Sequence, residues 1–217
     1  MVTDLHEDAT EAPGRPAIRA PGWFILPAAA VAALISFYLT SVPYIYMEAL
    51  VFMFFAWTFM GLIWIIRLAA ALWINRRRPG TSRSWLTATR WLLVPLIFVG
   101  SVLAIKADAP FQVRFRLSQS SLEHYAAKLA QSGRSLGCQW VGLYYVCGDY
   151  PYEGVIVSSG TEAITGGAQI MVEDWPIMIS RGFLWLPDGR QPPEDAYCED
   201  YGHLVGPWWR CRSWDGW

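Results

Sequence analysis

The chain has 217 residues, of which 54% are hydrophobic and only 16% are charged, and its formal net charge is −1. An ordinary soluble domain is about 45–50% apolar and about 25% charged, so this composition excludes a disordered chain, a coiled coil and a basic nucleic-acid-binding protein. The length is short for two large soluble domains.

Three apolar runs occupy the first half of the chain. Residues 23–41 and 49–66 contain no charge, and residues 91–105 lie between Arg90 and Lys106. A helix needs about 20 apolar residues to cross a hydrocarbon core of about 30 Å. The first two runs are long enough alone, and the third is long enough if Arg90 and Lys106 extend to the two interfaces. The sequence therefore predicts three transmembrane helices.

The connection between the second and third runs is rich in arginine: Arg76, Arg77, Arg78, Arg83 and Arg90. Because cytoplasmic loops carry an excess of basic residues, the loop 75–90 and the N-terminus are predicted to be cytoplasmic. The link 42–47 and everything after Lys106 then lie outside. We expect a multi-pass protein of the plasma membrane with a cytoplasmic tail over 1–22, a membrane region over 23–107 and an extracytoplasmic domain over 108–217.

Charged residues inside the membrane region are few. No acidic residue lies at mid-span in any predicted helix, which argues against an ion or solute carrier. Arg67 is interpreted as the end of a span that starts near Met47. The alternative is that Arg67 pairs with Glu48 of a neighbouring chain or faces a pore.

All four cysteines lie in the second half of the chain: Cys138, Cys147, Cys198 and Cys211. This distribution indicates an oxidising compartment. Four cysteines allow three connectivities. We favour Cys138–Cys147 and Cys198–Cys211, because each pair lies close in the chain and brackets a turn or strand pair. The close Cys-x-x-Cys or Cys-x-x-His spacing of a zinc site is absent, so no metal ligand is predicted.

The outer half is predicted to be a small α+β domain, with one helix on a mostly antiparallel sheet. Residues 111–117 alternate between apolar and polar, which predicts a half-buried strand. Ser120 and Glu123 match a capping box, so a helix is expected to begin there and to end at Gly133. Further strands are predicted at 140–147, 153–159, 169–173, 177–186 and 204–212.

Sequence signatures of catalysis are absent. The chain contains no Gly-x-Ser-x-Gly elbow, no His-Glu-x-x-His, no phosphate loop and no dinucleotide fingerprint. Glu199, Asp200 and His203 lie close together, which is compatible with a metal site or a shared proton. We favour a solvated loop held by a disulfide. No catalytic or cofactor-binding residue and no cofactor are therefore predicted.

Tryptophans are concentrated at the C-terminal end of the chain. Exposed tryptophans stack on sugars, anchor protein interfaces or lie at membrane surfaces, and the structural alternative is a tryptophan-rich core. Trp208, Trp214 and Trp217 are the candidate binding surface. In a strand, Trp208 and Trp209 point to opposite faces, and Trp209 shares a face with Cys211. We therefore expect Trp209 to be buried and Trp208 to be the more exposed of the two.

The outer half resembles a set of uncharacterised actinobacterial integral membrane proteins. The similar segments are Phe115-Arg116-Leu117-Ser118, Val141-Gly142-Leu143-Tyr144, residues 182–189 and residues 201–209. The resemblance implies a few N-terminal helices followed by a soluble C-terminal domain. It implies no activity.

The function expected from these patterns is that of a non-catalytic integral membrane protein, which presents an outer domain for binding or serves as a subunit of a membrane assembly. One alternative is a cell-surface enzyme or metal-binding protein that uses the loop from Glu199 to His203. Another is an accessory subunit of a transporter or export system. The expected partners are the lipid bilayer and other membrane or envelope proteins, with no nucleic acid.

Overall fold

The computed structural model describes residues 24–76, 85–152, 155–157, 160–162, 166–174, 181–189, 191–192 and 198–212. The helices are α1 (Ile25–Thr40), α2 (Met47–Arg76), α3 (Trp85–Lys106) and α4 (Ala109–Ser132). The strands are β1 (Gln139–Val141), β2 (Tyr144–Val146), β3 (Tyr150–Tyr152), β4 (Val155–Val157), β5 (Gly160–Glu162), β6 (Gly167–Val172), β7 (Arg181–Trp185), β8 (Asp200–Val205) and β9 (Trp208–Arg212). The predicted tail 1–22 and the basic segment 77–84 lie outside the described residues.

Helix α2 is long and apolar enough to cross a bilayer by itself, over Met47–Trp73 with a mean hydropathy of 2.3. Only 11% of its most apolar stretch is buried. Phe54, Phe55 and Phe59 are 66%, 64% and 67% exposed. A core helix of a soluble protein buries its apolar face, whereas α2 leaves large apolar side chains exposed.

The three predicted membrane spans are not supported as such, because α2 alone meets the length and apolarity of a span within the described residues. Helix α1 has 16 residues, or about 24 Å, which is shorter than a hydrocarbon core of about 30 Å. Helix α3 qualifies only together with α4, from which it is bent by 59°. Asp108 causes the bend with a left-handed φ of 56°, and Pro110 follows it in the first turn of α4.

Tryptophan side chains tie the first three helices together. Trp57 Nε1 donates to Ser36 Oγ at 3.0 Å, which joins α2 to α1. Trp64 Nε1 donates to the carbonyl of Trp91 at 3.2 Å, and the Trp57 ring lies 5.1 Å from that of Phe98, which joins α2 to α3. The three helices therefore form one packed unit.

The second half is an antiparallel sheet domain in the order β1-β2-β6-β7-β9-β8, with β3 also paired to β6 and with β4 and β5 forming a separate hairpin. Helix α4 lies across one face of the sheet. The buried core joins Phe111, Phe115, Leu122, Tyr125, Ala126 and Leu129 of α4 to Val146, Ile170, Val172, Phe183 and Trp208 of the sheet. The prediction of one helix on an antiparallel sheet is confirmed.

The strand predicted at 111–117 is wrong, because these residues form the first half of α4. Phe111 and Phe115 are buried one helical turn apart, as a helix face requires. Val113 and Leu117 produced the apparent alternation, yet they are 59% and 68% exposed. Two exposed apolar residues on the outer face of a helix thus imitated the period of a strand.

The predicted capping box lies inside α4 rather than at its start. Ser120 is exposed on the helix, and Glu123 Oε1 accepts from Gln119 Nε2 at 3.1 Å instead of capping. The predicted end of the helix is confirmed. Gly133 has a φ of 61°, and its N–H donates to the carbonyl of Leu129 at 3.2 Å.

Two of the predicted strands are hairpins. Residues 140–147 fold as β1 and β2 around the turn Gly142-Leu143, and residues 204–212 contain the turn between β8 and β9. Gly142 has a φ of 61°, and a Cβ at this position would lie 2.7 Å from Ser118 Cβ. The close approach of the turn to α4 therefore requires glycine.

Candidate functional site

The link between α1 and α2, residues 41–46, lies against the sheet domain. The hydroxyl of Tyr144 donates to the carbonyl of Ser41 at 3.2 Å, and Arg114 Nη1 donates to Ser41 Oγ at 2.9 Å. Ser41, Val42 and Tyr46 are buried. The helical part and the sheet domain thus meet through specific contacts at this link.

Four arginines of the sheet domain place their guanidinium groups over tyrosine rings of the helical part. Arg114 lies 5.2 Å from the Tyr38 ring, Arg181 lies 4.9 Å from Tyr46, and Arg210 and Arg212 lie 5.1 and 5.7 Å from Tyr44. We call these seven residues the arginine–tyrosine junction. A cation–π contact contributes about 0.5–2 kcal/mol, depending on how far it is desolvated, so together the four contacts hold the two parts in place.

Carboxylates neutralise much of the positive charge of the junction. Arg210 Nη1 lies 3.1 Å from Asp108 Oδ2, and Arg212 Nη2 lies 3.4 Å from Asp200 Oδ2. Asp108 stands at the bend between α3 and α4, so its ion pair also joins the bend to the sheet. Arginines that carry carboxylate partners within the fold are structural groups rather than an open anion site.

The third ion pair of the junction is buried. Arg114 Nη2 lies 2.6 Å from Asp174 Oδ2, with side chains only 8% and 3% exposed. The same nitrogen donates to the carbonyl of Leu143 at 2.5 Å, and Asp174 Oδ1 accepts from the N–H of Tyr145 at 3.2 Å. Burial raises the pKa of the Asp174 carboxyl above its usual range, although Arg114 acts against this. The pair fixes α4, the β1–β2 turn and the α1–α2 link to one another.

A second buried carboxylate lies at the far end of α4. Asp149 accepts from the hydroxyls of Tyr125 and Ser135 at 2.8 and 2.7 Å, and from the N–H of Leu136 at 2.7 Å. Burial alone would raise the pKa of Asp149, but these donors outweigh it and hold the pKa below its usual value. Burial and the Asp149 carboxylate raise the pKa of Tyr125. Both oxygens of the Asp149 carboxylate already accept hydrogen bonds within the fold. The carboxylate therefore orders the chain after α4 and does not serve as a general base.

We expect Asp149→Ala to lower the free energy of unfolding by about 1–3 kcal/mol near pH 7, because it leaves buried hydrogen-bond donors without an acceptor. A depressed pKa stabilises the fold above the unfolded-state value of 3.8 and loses this effect as the pH falls through the folded-state pKa. The difference from wild type should therefore shrink below about pH 4. Chemical denaturation against pH measures it, with the exposed Glu123→Gln as the control. A difference that stays constant down to that pH would contradict the role of the charge.

The predicted tryptophan surface is corrected by the structure. Trp208 is fully buried, and its ring meets Phe115 and Phe183 edge-on at 5.9 and 6.1 Å. Trp214 and Trp217 lie outside the described residues. The candidate binding surface therefore loses Trp208, the one member whose position the structure describes.

The order of burial of Trp208 and Trp209 is also the reverse of the prediction. Trp209 is half-buried, with its ring against Tyr201 and His203. The prediction assumed that only one face of the sheet is covered, with the Cys211 disulfide on that face. Cys211 is indeed buried, but on the face opposite to Trp208, so the premise fails.

The stretch from Glu199 to His203 does not form the predicted loop. Residues from Asp200 onward belong to β8, where successive side chains point to opposite faces. Asp200 pairs with Arg212, and His203 Nε2 lies 3.0 Å from the carbonyl of Gly206. Within the described residues, Glu199, Asp200 and His203 do not gather as a three-ligand group.

The cysteines pair as predicted, Cys138 with Cys147 and Cys198 with Cys211, and none of the four is free. The first bridge joins the ends of β1 and β2, and the second joins the segment before β8 to β9. Glu173 lies close to the first bridge. Because metal ligation needs a thiolate, a cysteine pair joined as a disulfide does not make this group a metal site.

The residues of the junction were missed by the sequence reasoning. Arg114 carried one usable signal, since it follows Phe111 by three residues and so lies on the buried face of α4. Its partner Asp174 lies far away in the chain, and no local pattern connects the two. No known protein family, curated protein or solved structure matches the chain.

Proposed function

We propose that the chain is a non-catalytic membrane-anchored protein that holds an oxidised sheet domain rigidly at the outer surface of the membrane, where this domain binds a partner. One observation carries the proposal. The exposed apolar helix α2 begins directly at the arginine–tyrosine junction, and the domain on the other side of that junction contains two disulfides. The arginine–tyrosine junction thereby connects an apolar helix, which suits a membrane anchor, to a domain whose disulfides suit an oxidising compartment.

Helices α1 and α3 enter the bilayer beside α2 in this proposal. Both expose apolar side chains, among them Leu34 of α1 and Leu96 and Leu103 of α3, at 66%, 64% and 61%. A helix shorter than the hydrocarbon core is accommodated by local thinning of the bilayer and by flanking residues that extend to the interface. Packing against α2 supports the insertion of all three helices together.

Aromatic side chains supply the two interfaces of the proposed anchor. Trp64 and Trp91 are in contact at one level along α2, and Tyr44 and Tyr46 lie just before the start of that helix. About 27 Å of α2 separates Trp64 from Tyr46, close to the thickness of a hydrocarbon core. Tryptophan and tyrosine favour membrane interfaces, so these two levels fit the belts of a spanning helix.

The orientation follows from the two ends of α2. The junction lies at its start, and Arg76 ends the helix about 44 Å away, where the sequence continues with further arginines. Basic loops stay in the cytoplasm, which supports an extracytoplasmic sheet domain. Disulfides in that domain support the same orientation.

We expect alkaline phosphatase fused after Trp217 to be active and the same enzyme fused after Gly80 to be inactive, because the enzyme folds only outside the cytoplasm. Colonies on a chromogenic substrate report the result, and a green fluorescent protein fusion at the same two positions serves as the reciprocal control. Activity of the Gly80 fusion alone would overturn the orientation. Native-membrane co-purification of the full chain then tests whether the outer domain has a partner.

A further inference from the structure

Among the strands that the structure describes, β1 is an edge strand of the sheet and pairs only with β2. Trp140 is paired with Tyr145 of β2. Tyr145 directs its backbone away from β1, since its N–H donates to Asp174 and its carbonyl accepts from the N–H of Glu173 at 2.9 Å. Trp140 and Tyr145 are therefore a non-hydrogen-bonded pair of the antiparallel ladder, in which the two residues exchange no backbone hydrogen bonds. Trp140 thus points its N–H and carbonyl away from β2, toward the side of β1 where no described strand is paired.

A groove runs between this edge and helix α4. Its volume is about 470 Å³, within the range of about 300–1,000 Å³ typical of binding sites. Ser121, His124 and Lys128 line it from α4, and Gln139 and Trp140 line it from β1. The distance from Ser121 to Lys128 along the helix is about 10 Å, which equals about three residues of extended chain.

The charge of the groove selects its occupant. Lys128 and His124 are exposed one turn apart on α4, and none of the described residues that line the groove is a carboxylate. The nearest acidic residue of the helix, Glu123, accepts a hydrogen bond from Gln119. An extended segment that carries a carboxylate therefore complements both the edge strand β1 and the cation.

We propose that an acidic, extended peptide segment of a partner protein adds to β1 as a further strand in this groove. Its backbone exchanges hydrogen bonds with Trp140, and a glutamate or aspartate meets Lys128. Strand β8, at the opposite end of the sheet order, is less suited, because a bulge between His203 and Val205 interrupts its ladder. This inference rests on the proposed function and specifies how the outer domain binds.

The probe is the N-acetylated pentapeptide amide Val-Glu-Val-Glu-Val, titrated against the full chain in lipid nanodiscs. We expect saturable binding and slower hydrogen exchange of the Trp140 amide. Of two peptides N-methylated at residues 1, 3 and 5 or at residues 2 and 4, each lacks the N–H donors of one edge of the strand, and the one methylated on the edge that faces β1 should bind much more weakly. Lys128→Glu should weaken binding of the unmodified peptide by about tenfold, through like-charge repulsion. The matched control Arg116→Glu, on the exposed surface of the same helix, should leave it unchanged.

Equal binding of both methylated peptides and the unmodified one would overturn the strand addition, as would an unprotected Trp140 amide or the absence of binding. An equal effect of Lys128→Glu and Arg116→Glu would overturn the assignment to this groove. Failure of the peptide leaves the anchor function standing if the outer domain is extracytoplasmic and co-purifies with a partner. A cytoplasmic sheet domain would instead remove the proposed function, whatever the peptide does.

Discussion

Replacing Trp208 by alanine is expected to lower the free energy of unfolding of the sheet domain by about 3–5 kcal/mol. The ring is completely buried between α4 and the sheet, and it contacts Phe115 and Phe183 at their edges. Removing it leaves a large cavity at the place where β7, β9 and α4 meet, and backbone that is paired on both sides cannot close it. Denaturant unfolding of the full chain in micelles measures the loss.

The neighbouring Trp209→Ala is the matched control, because it removes the same ring from the opposite face of the same strand. Trp209 is half-buried, and its partners Tyr201 and His203 belong to the edge strand β8. We expect a loss of about 1 kcal/mol for this variant. A loss for Trp209→Ala that equals or exceeds that for Trp208→Ala would contradict the packing described for β9.

Local patterns predicted the features of the fold that local chemistry decides. The division into an apolar helical half and a sheet domain followed from composition, and the end of α4 at Gly133 followed from the need for a left-handed residue. The disulfide partners were found because each pair is close in the chain. The first half of α4 was mistaken for a strand, because the sequence does not show that the apolar residues Val113 and Leu117 are exposed while Phe111 and Phe115 are buried.

The site could not be predicted in the same way, because its contacts join distant parts of the chain. The hydrogen bond from Arg114 to Ser41 links α4 to the α1–α2 connection, and the ion pair with Asp174 links it to the end of β6. Nothing near Arg114 in the sequence specifies either partner. The exposed or buried state of Trp208 likewise depends on the register of β7 and β9, which places it beside Trp185. Sheet register is a property of the assembled domain.

Replacing Arg114 by methionine is expected to destabilise the chain by about 3–5 kcal/mol near pH 7, because it leaves the Asp174 carboxylate buried without its cation. The variant also removes the hydrogen bonds to Ser41 and Leu143, so the α1–α2 link loses one of its attachments to the sheet domain. Unfolding in micelles measures the stability. Arg116→Met, an exposed position on the same helix, is the control and should change little.

The pH dependence separates the loss of the ion pair from a loss of packing. Burial already raises the pKa of Asp174, and Arg114 is the largest influence that lowers it. Without Arg114 the folded-state pKa must rise further above the unfolded-state value of 3.8. A raised carboxyl pKa favours the folded state at low pH, and this contribution disappears as the pH rises through the folded-state pKa. The loss of stability in Arg114→Met, relative to wild type, should therefore become smaller as the pH falls from neutral into the acidic range.

The double variant Arg114→Met/Asp174→Leu contains neither charge and should recover much of the stability at neutral pH. If the loss of stability is independent of pH and persists in the double variant, the junction depends on the shape of the arginine side chain and not on its charge.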